Sequence, residues 1–133
     1  MNDDLTKIAQ TCLDGAENNT MTFPEIVGTL MQAGFESYVI DYRRSTATYF
    51  SPDGDSVVLP TQHGSSPIAA TLNTTAVQSA IKEAQQLVPG YTYVGFCGKV
   101  MAAGCAGYIV SFTGRRAVYF GRDAETHVER FPE

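Results

Sequence analysis

The sequence predicts an α+β fold, an internal duplication of an ααβββ module. Three observations carry this prediction. Four segments place apolar residues at helical spacing, six short segments alternate between apolar and polar residues, and the chain aligns with itself at an offset of 70 residues. With 133 residues, 44% of them hydrophobic, the chain can bury a substantial core. We therefore expect an antiparallel sheet, or two, covered by helices in a pseudo-twofold, two-layer arrangement.

The self-alignment pairs residues 22–58 with residues 92–128 without a gap. Eleven of the 37 pairs are identical, whereas ordinary composition gives roughly two or three. The chain therefore divides into repeat 1 at residues 1–62 and repeat 2 at residues 67–133, with a connector rich in Ser, Thr, Gly and Pro at residues 60–72. Because about 66 residues make a poor core alone, the whole chain is predicted to form a single compact domain.

Each repeat is predicted to begin with an amphipathic helix. Residues 4–18 carry apolar side chains on one face, and residues 76–88 repeat that spacing. Thr75 and Gln78 have the spacing of a capping box for the second of these helices, and Pro89 followed by glycine is a stop signal.

A second helix follows in each repeat. In repeat 1, Thr22 and Glu25 have the spacing of a capping box. Both second helices end in Ala-Gly, so Gly34 and Gly104 are predicted to take the left-handed conformation that ends a helix, where a Cβ atom is unfavourable.

Each second helix also contains a glycine in its interior, Gly28 in repeat 1 and Gly98 in repeat 2. Glycine at such a position costs about 1 kcal/mol relative to alanine. Its occurrence in both repeats predicts that another backbone approaches closely at these two positions.

Three short strands complete each repeat. Their alternation of apolar and polar residues is typical of strands with one buried face. The predicted strands are residues 38–42, 46–50 and 56–59 in repeat 1, and residues 108–112, 116–120 and 126–131 in repeat 2. The sequence leaves two arrangements open, either two three-stranded sheets or one joined six-stranded sheet.

The strand motifs carry a resemblance to a known family. Ala-Gly precedes a Tyr-x-x-x-(Tyr/Phe) strand, an Ala-x-Tyr-Phe strand follows, and an acidic turn comes late in each repeat. In these motifs the chain resembles the YdfO/YbcV-like family of small enterobacterial and prophage-encoded proteins of unknown function, some of which are labelled phage envelope protein. The resemblance implies an α+β two-layer fold and a phage or prophage context, and it supplies no catalytic residues.

The candidates for catalysis or metal binding each have a structural interpretation that we prefer. The chain has three cysteines, an odd number, and none of them has C-x-x-C spacing. We predict that all three are small apolar core residues, namely Cys12, Cys97 and Cys105. His127 stands between two glutamates on one strand, which is typical of a solvated strand face. His63 lies in the connector, where no carboxylate or cysteine has the spacing of a metal site. We therefore predict no catalytic residue, no cofactor and no metal.

Acidic residues recur in the last turn of each repeat. Asp53 and Asp123 are equivalent in the self-alignment, each followed two residues later by a second acid. Paired carboxylates can serve acid–base chemistry, but aspartate in such turns ordinarily accepts hydrogen bonds from the local backbone. We predict this structural role for both.

Two arginines lie near the first hairpin turn of each repeat. They are Arg43 and Arg44 in repeat 1, and Arg115 and Arg116 in repeat 2. If the two turns converge, these residues can contact an anion or an acidic partner. The net charge of −5 disfavours general nucleic-acid binding. It does not exclude a local arginine site, because residues 1–66 hold nine acidic and three basic residues whereas the rest is nearly balanced.

Three functions remain open at this point. We favour a non-enzymatic, prophage-associated protein-binding or accessory module whose protein partner is unidentified. The alternative is a small-ligand-binding protein or enzyme with a cleft between the repeats, lined by Tyr38, Tyr49, Tyr108 and Tyr119. A second alternative is a nucleic-acid-binding accessory protein that uses the arginine turns. The readable sequence has no signal peptide or membrane span, so we expect a cytoplasmic or phage-associated protein, with a homodimer left open.

Overall fold

Helices and strands alternate in the order that the sequence predicts. The computed structural model describes residues 1–62 and 66–132, so His63 lies outside the described residues. The elements are α1 (Asp3–Glu17), α2 (Phe23–Ala33), β1 (Ser37–Asp41), β2 (Thr46–Phe50), β3 (Ser56–Pro60), α3 (Thr74–Gln86), α4 (Tyr93–Ala102), β4 (Cys105–Ser111), β5 (Arg116–Gly121) and β6 (Thr126–Arg130). The α+β class is confirmed. The duplication stays a prediction, because a repeated order of elements does not by itself establish a common origin.

The six strands form one antiparallel sheet in the order β3-β2-β1-β4-β5-β6. The two halves of the chain meet at the central pair, where β1 and β4 run antiparallel from Ser37 opposite Ser111 to Asp41 opposite Gly107. The alternative that the sequence left open is therefore decided in favour of a joined sheet. Strand β4 begins at Cys105, three residues before the predicted strand, because Cys105 pairs with Gly121 of β5, with a register shift between Cys105 and Gly107.

Side-chain caps fix where the helices begin. The predicted capping box of α2 is confirmed, because the Thr22 hydroxyl accepts from the Glu25 N–H and the Glu25 carboxylate accepts from the Thr22 N–H. The predicted box at Thr75 is wrong. Asn73 caps α3 instead, since its side chain accepts from the Ala76 N–H at 3.0 Å, and the helix therefore begins one residue before Thr75.

All four helices pack on one face of the sheet and form the core with it. The most deeply buried side chains come from both layers, namely Leu30, Ile40, Val77, Val100, Met101 and Val110, together with the three cysteines. A two-layer arrangement of this kind buries one face of a sheet and leaves the other face to solvent or to a partner.

The interior glycines of the second helices do not mark a close approach, and that prediction is wrong. A Cβ atom added to Gly28 or to Gly98 would have no described atom within 4 Å outside the local backbone. Gly28 is exposed and Gly98 is half-buried, so packing does not require a glycine at either position. Both glycines instead lower stability through the flexibility that glycine gives the unfolded chain.

We accordingly expect Gly28→Ala and Gly98→Ala each to raise the free energy of unfolding by about 1 kcal/mol, because alanine favours a helix interior. Urea denaturation followed by circular dichroism measures the change. Gly95→Ala in α4 is the matched control, since its Cβ would lie 2.9 Å from Oγ1 of the capping Thr92 and should bring no gain. A loss of stability in either helix-interior variant would contradict the open surroundings.

Candidate functional site

The face of the sheet opposite the helices is accessible. In β1, Tyr38 and Ile40 are buried under the helices, whereas Val39 between them points to the opposite side and is half-buried. The same alternation holds in β4, where Tyr108 and Val110 are 4% and 0% exposed and Ile109 is 36% exposed. We call this second side, formed by the alternate residues of all six strands, the open face.

An apolar row crosses the middle of the open face from edge to edge. The registers of the five strand pairs place its members directly opposite one another in turn. The row consists of Val58, Thr48, Val39, Ile109, Val118 and Val128. Val58, Ile109 and Val128 are 58%, 36% and 42% exposed. Every member is β-branched, which gives the row a flat and stiff surface.

Two phenylalanines flank the row. Phe50 lies in the neighbouring row at one end of the strands, and Phe120 lies in the neighbouring row at the other end. The ring of Phe120 lies over Gly107, because a Cβ atom added to Gly107 would lie 2.7 Å from Cζ of that ring. Phe120 thus covers the backbone that Gly107 leaves bare and extends the apolar surface.

The open face carries little charge. Of its described strand residues, Asp41 alone has a carboxylate, and that carboxylate accepts from the N–H groups of Arg43 and Arg44 at 3.0 Å each. Arg116 and Arg130 supply the positive charges near the far edge of the same face, and Nε of Arg116 donates to the Gly114 carbonyl at 3.1 Å. The charged groups therefore stand at the rim, outside the apolar row.

The two arginine turns do not lie together, so the condition under which all four arginines could share one site is not met in this chain. Arg43 and Arg44 follow β1, whereas Arg115 and Arg116 stand between β4 and β5. Because β1 and β4 are antiparallel neighbours, the turn after one strand lies beside the start of the other. The two turns are thus at opposite ends of the sheet, about 16 Å apart for strands of this length. A contact role for each pair separately stays a prediction.

The four tyrosines of the predicted cleft lie together on the covered face. Tyr38, Tyr49, Tyr108 and Tyr119 are 3–7% exposed. Their rings are stacked or tilted against one another, with centroids 5.4 Å apart for Tyr38 and Tyr49 and 5.0 Å apart for Tyr108 and Tyr119. A ligand would reach these rings only after the helices moved away, so the cleft stays a prediction.

A hydrogen bond between phenols joins this cluster to the helix layer. The Tyr93 and Tyr108 hydroxyls lie 2.7 Å apart, which pairs two polar groups beneath α4. Burial raises the pKa of both hydroxyls well above the ordinary range.

The cysteines are core residues, as the sequence predicts. All three are buried free thiols. Burial raises the pKa of the Cys97 thiol to about 12 and that of Cys105 to about 11. The pKa of Cys12 is raised for the same reason. Thiols that stay protonated at neutral pH are poor nucleophiles.

The acidic turns have the structural role predicted for them. The Asp53 carboxylate accepts from the Ser51 hydroxyl and from the Asp55 N–H. The Asp123 carboxylate accepts from the Glu125 N–H at 3.1 Å and also from the Leu72 N–H at 3.2 Å, which ties the connector to the turn between β5 and β6. Within residues 1–62 and 66–132, no three His, Cys, Asp or Glu side chains are grouped as metal ligands.

An open depression of about 420 Å³ lies between the connector and α4. Alanines form much of its lining, and two of its polar side chains already have partners. Lys99 binds the Glu83 carboxylate at 2.7 Å, and Asn73 caps α3. A specific small-ligand site needs several convergent polar groups, which this depression does not offer.

Sequence reasoning missed the apolar row, although its six members form three pairs of the self-alignment. The aligned pairs are Val39 with Ile109, Thr48 with Val118, and Val58 with Val128. The alternation within each strand indicates which residues share a face. The order of the strands and their register, which place these residues in one line, depend on pairing between distant parts of the chain.

These features define a two-layer α+β protein in which a six-stranded antiparallel sheet has one face covered by helices and an apolar row across the other. The family model described as Protein of unknown function (DUF1398) matches residues 11–129, so the chain belongs to this family. No curated protein matches the sequence. Within the described residues, no helix is both long enough and apolar enough to cross a membrane.

Proposed function

We propose that this member of the DUF1398 family is a non-enzymatic protein-binding module that binds its partner through the open face of the sheet. The observation that carries this proposal is the apolar row from Val58 to Val128, which crosses all six strands. In a two-layer fold, the face of the sheet that meets solvent ordinarily carries polar residues. A continuous row of Val, Ile and Thr instead favours burial against another apolar surface.

The size of the row supports a macromolecular partner. Six strands about 4.8 Å apart give a row about 24 Å long. The largest exposed apolar patch on a monomeric protein typically measures a few hundred Å² and is often a functional site. The flanking Phe50 and Phe120 widen the patch, and Arg116 and Arg130 give it a polar rim. An apolar centre with arginine at the rim is typical of protein interfaces.

The chemistry elsewhere in the molecule supports a binding role over catalysis. The buried thiols are protonated at neutral pH, and the acidic turns hold their carboxylates in local hydrogen bonds. The resemblance to prophage-encoded proteins favours a partner from the phage or its host, and we include that prophage association in the proposal.

Photo-cross-linking in living cells tests the proposal. A chain that carries p-benzoylphenylalanine in place of Val58 should form covalent protein adducts, and one that carries it in place of Met31 on α2 should not. Met31 is 46% exposed, comparable to the row, but it belongs to the helix layer. Adding Ile109→Lys should reduce the Val58 adducts at least tenfold, because a buried lysine costs the interface more than about 1.4 kcal/mol. Equal adducts at both positions, or none at Val58, would refute the proposal.

A further inference from the structure

The open face has the dimensions and symmetry of a surface that meets its own copy, and we infer that its partner is a second copy of this chain. The two sheets would pack face to face in a twofold dimer, with four layers in the order helix, sheet, sheet, helix. This inference rests on the proposed function, since it identifies the partner of the same face.

The extent of the face favours a partner sheet. On the covered side, four helices are needed to bury the same six strands. A single partner helix, about 10 Å in diameter, would leave much of the face exposed if it lay along the strands. A second six-stranded sheet covers every strand at once, and sheets pack face to face about 10 Å apart.

The apolar row is nearly the same when it is followed from either edge. Its centre lies between Val39 and Ile109, the residues of the central strand pair. A twofold axis through this centre and parallel to the strands would set Val58 of one copy over Val128 of the other. The same axis would set Thr48 over Val118 and Val39 over Ile109. Such self-complementarity is what a twofold dimer interface requires.

Charge also selects this face for self-association. The chain carries 14 acidic residues and a net charge of −5, so contacts that bring the acidic surfaces of two copies together are unfavourable. The open face is an exception, because Asp41 is its one carboxylate among the described strand residues and already accepts two hydrogen bonds. In the dimer, Arg116 of one copy would lie near Phe50 of the other, where a guanidinium is favourable over an aromatic ring. No arginine would face an arginine.

The area predicts a dimer of moderate affinity. Six strands of about five residues project to about 450 Å², and the accessible area of a corrugated face is larger than its projection. The face therefore supplies more than about half of the roughly 800 Å² per partner of a standard interface. We expect a dissociation constant on the order of micromolar, and we expect added salt to tighten the dimer, since salt screens the repulsion between acidic copies and leaves apolar contacts intact.

Sedimentation velocity on the purified full chain tests the inference, at concentrations up to about 100 µM, where a micromolar dimer is almost complete. The unmodified chain should sediment as a dimer at the upper end. Ile109→Lys should stay monomeric throughout, whereas Met31→Lys on the helix layer should dimerise as the unmodified chain does. Val58→Asp, on the edge strand β3, is a second disrupting variant, and circular dichroism checks that each variant is folded.

The outcomes separate this inference from the proposed function. An unmodified chain that is monomeric at about 100 µM overturns the dimer, as does an Ile109→Lys variant that dimerises normally. If the chain is monomeric but the Val58 photo-cross-linker still captures another protein in cells, the dimer is wrong and the binding module stands. If the chain is monomeric and that cross-linker captures nothing, both are wrong.

Discussion

Gly104→Ala is expected to destabilise the protein far more than Gly34→Ala, although the two glycines occupy equivalent positions in the self-alignment. Both end a second helix in the left-handed conformation, with φ of 95° at Gly104 and 97° at Gly34. An alanine in this conformation costs about 1–2 kcal/mol at either site. At Gly34 nothing more is added, because an added Cβ would have no described atom within 4 Å.

At Gly104 the connector lies against the helix end. An added Cβ would lie 2.2 Å from the Thr71 carbonyl oxygen and 2.9 Å from Cα of Leu72. These are backbone atoms, and the neighbouring backbone is held in place because the Asn73 N–H donates to the Ala103 carbonyl at 2.7 Å. The connector must therefore move, and we expect a total loss of about 3 kcal/mol or more.

Chemical denaturation of the two alanine variants measures this difference. Asparagine is a sharper control, since it tolerates the left-handed conformation better than alanine. Gly34→Asn should recover most of the stability that Gly34→Ala loses. Gly104→Asn should not recover the loss of Gly104→Ala, because the steric conflict with Thr71 remains. Equal losses for the two alanine variants would show that the connector does not pack against Gly104 as described.

The glycine pair also shows what the sequence can predict. The left-handed helix ends and the capping box at Thr22 depend on a few neighbouring residues, so local patterns predict them correctly. The contact between Gly104 and Thr71 joins segments more than 30 residues apart. The capping of α3 by Asn73 was missed for a different reason. Asn73 lies two residues before the predicted cap Thr75, and the hydrogen bond from its N–H to the Ala103 carbonyl holds it where the helix begins.

The candidate site was predicted in its parts and not in its arrangement. The alternation within each strand places Val39 and Ile109 on the face opposite to their strands' buried tyrosines, and the sequence is enough to predict this. The pairing of β1 with β4 then decides two further matters. It joins the apolar residues of both halves into one row, and it sends the arginine turns to opposite ends of the sheet. Neither follows from a pattern within one segment, because strand neighbours are chosen by the packing of the whole chain.

Steep unfolding in alkaline solution is the other large effect that we expect. Five tyrosines are buried on the covered face, and burial raises the pKa of each phenol well above its ordinary value near 10. They are Tyr38, Tyr42, Tyr49, Tyr108 and Tyr119. Below pH 10 these phenols are protonated in both the folded and the unfolded chain, so they add no pH dependence. Above pH 10 the unfolded chain releases protons that the folded chain retains.

Each buried tyrosine should then lower the free energy of unfolding by about 1.4 kcal/mol per pH unit, or about 7 kcal/mol per unit for all five. Because domains are stable by only about 5–15 kcal/mol, we expect cooperative unfolding within about two units above pH 10. The ultraviolet absorbance of tyrosinate and the far-ultraviolet circular dichroism should change together across one transition. Tyr49→Phe and Tyr119→Phe should each reduce the number of protons released on unfolding by one, so the free energy of unfolding should fall less steeply with pH. Gradual tyrosine ionisation near pH 10 with intact helix signal would contradict the burial of the cluster, because phenols that titrate at their ordinary pKa are in contact with water.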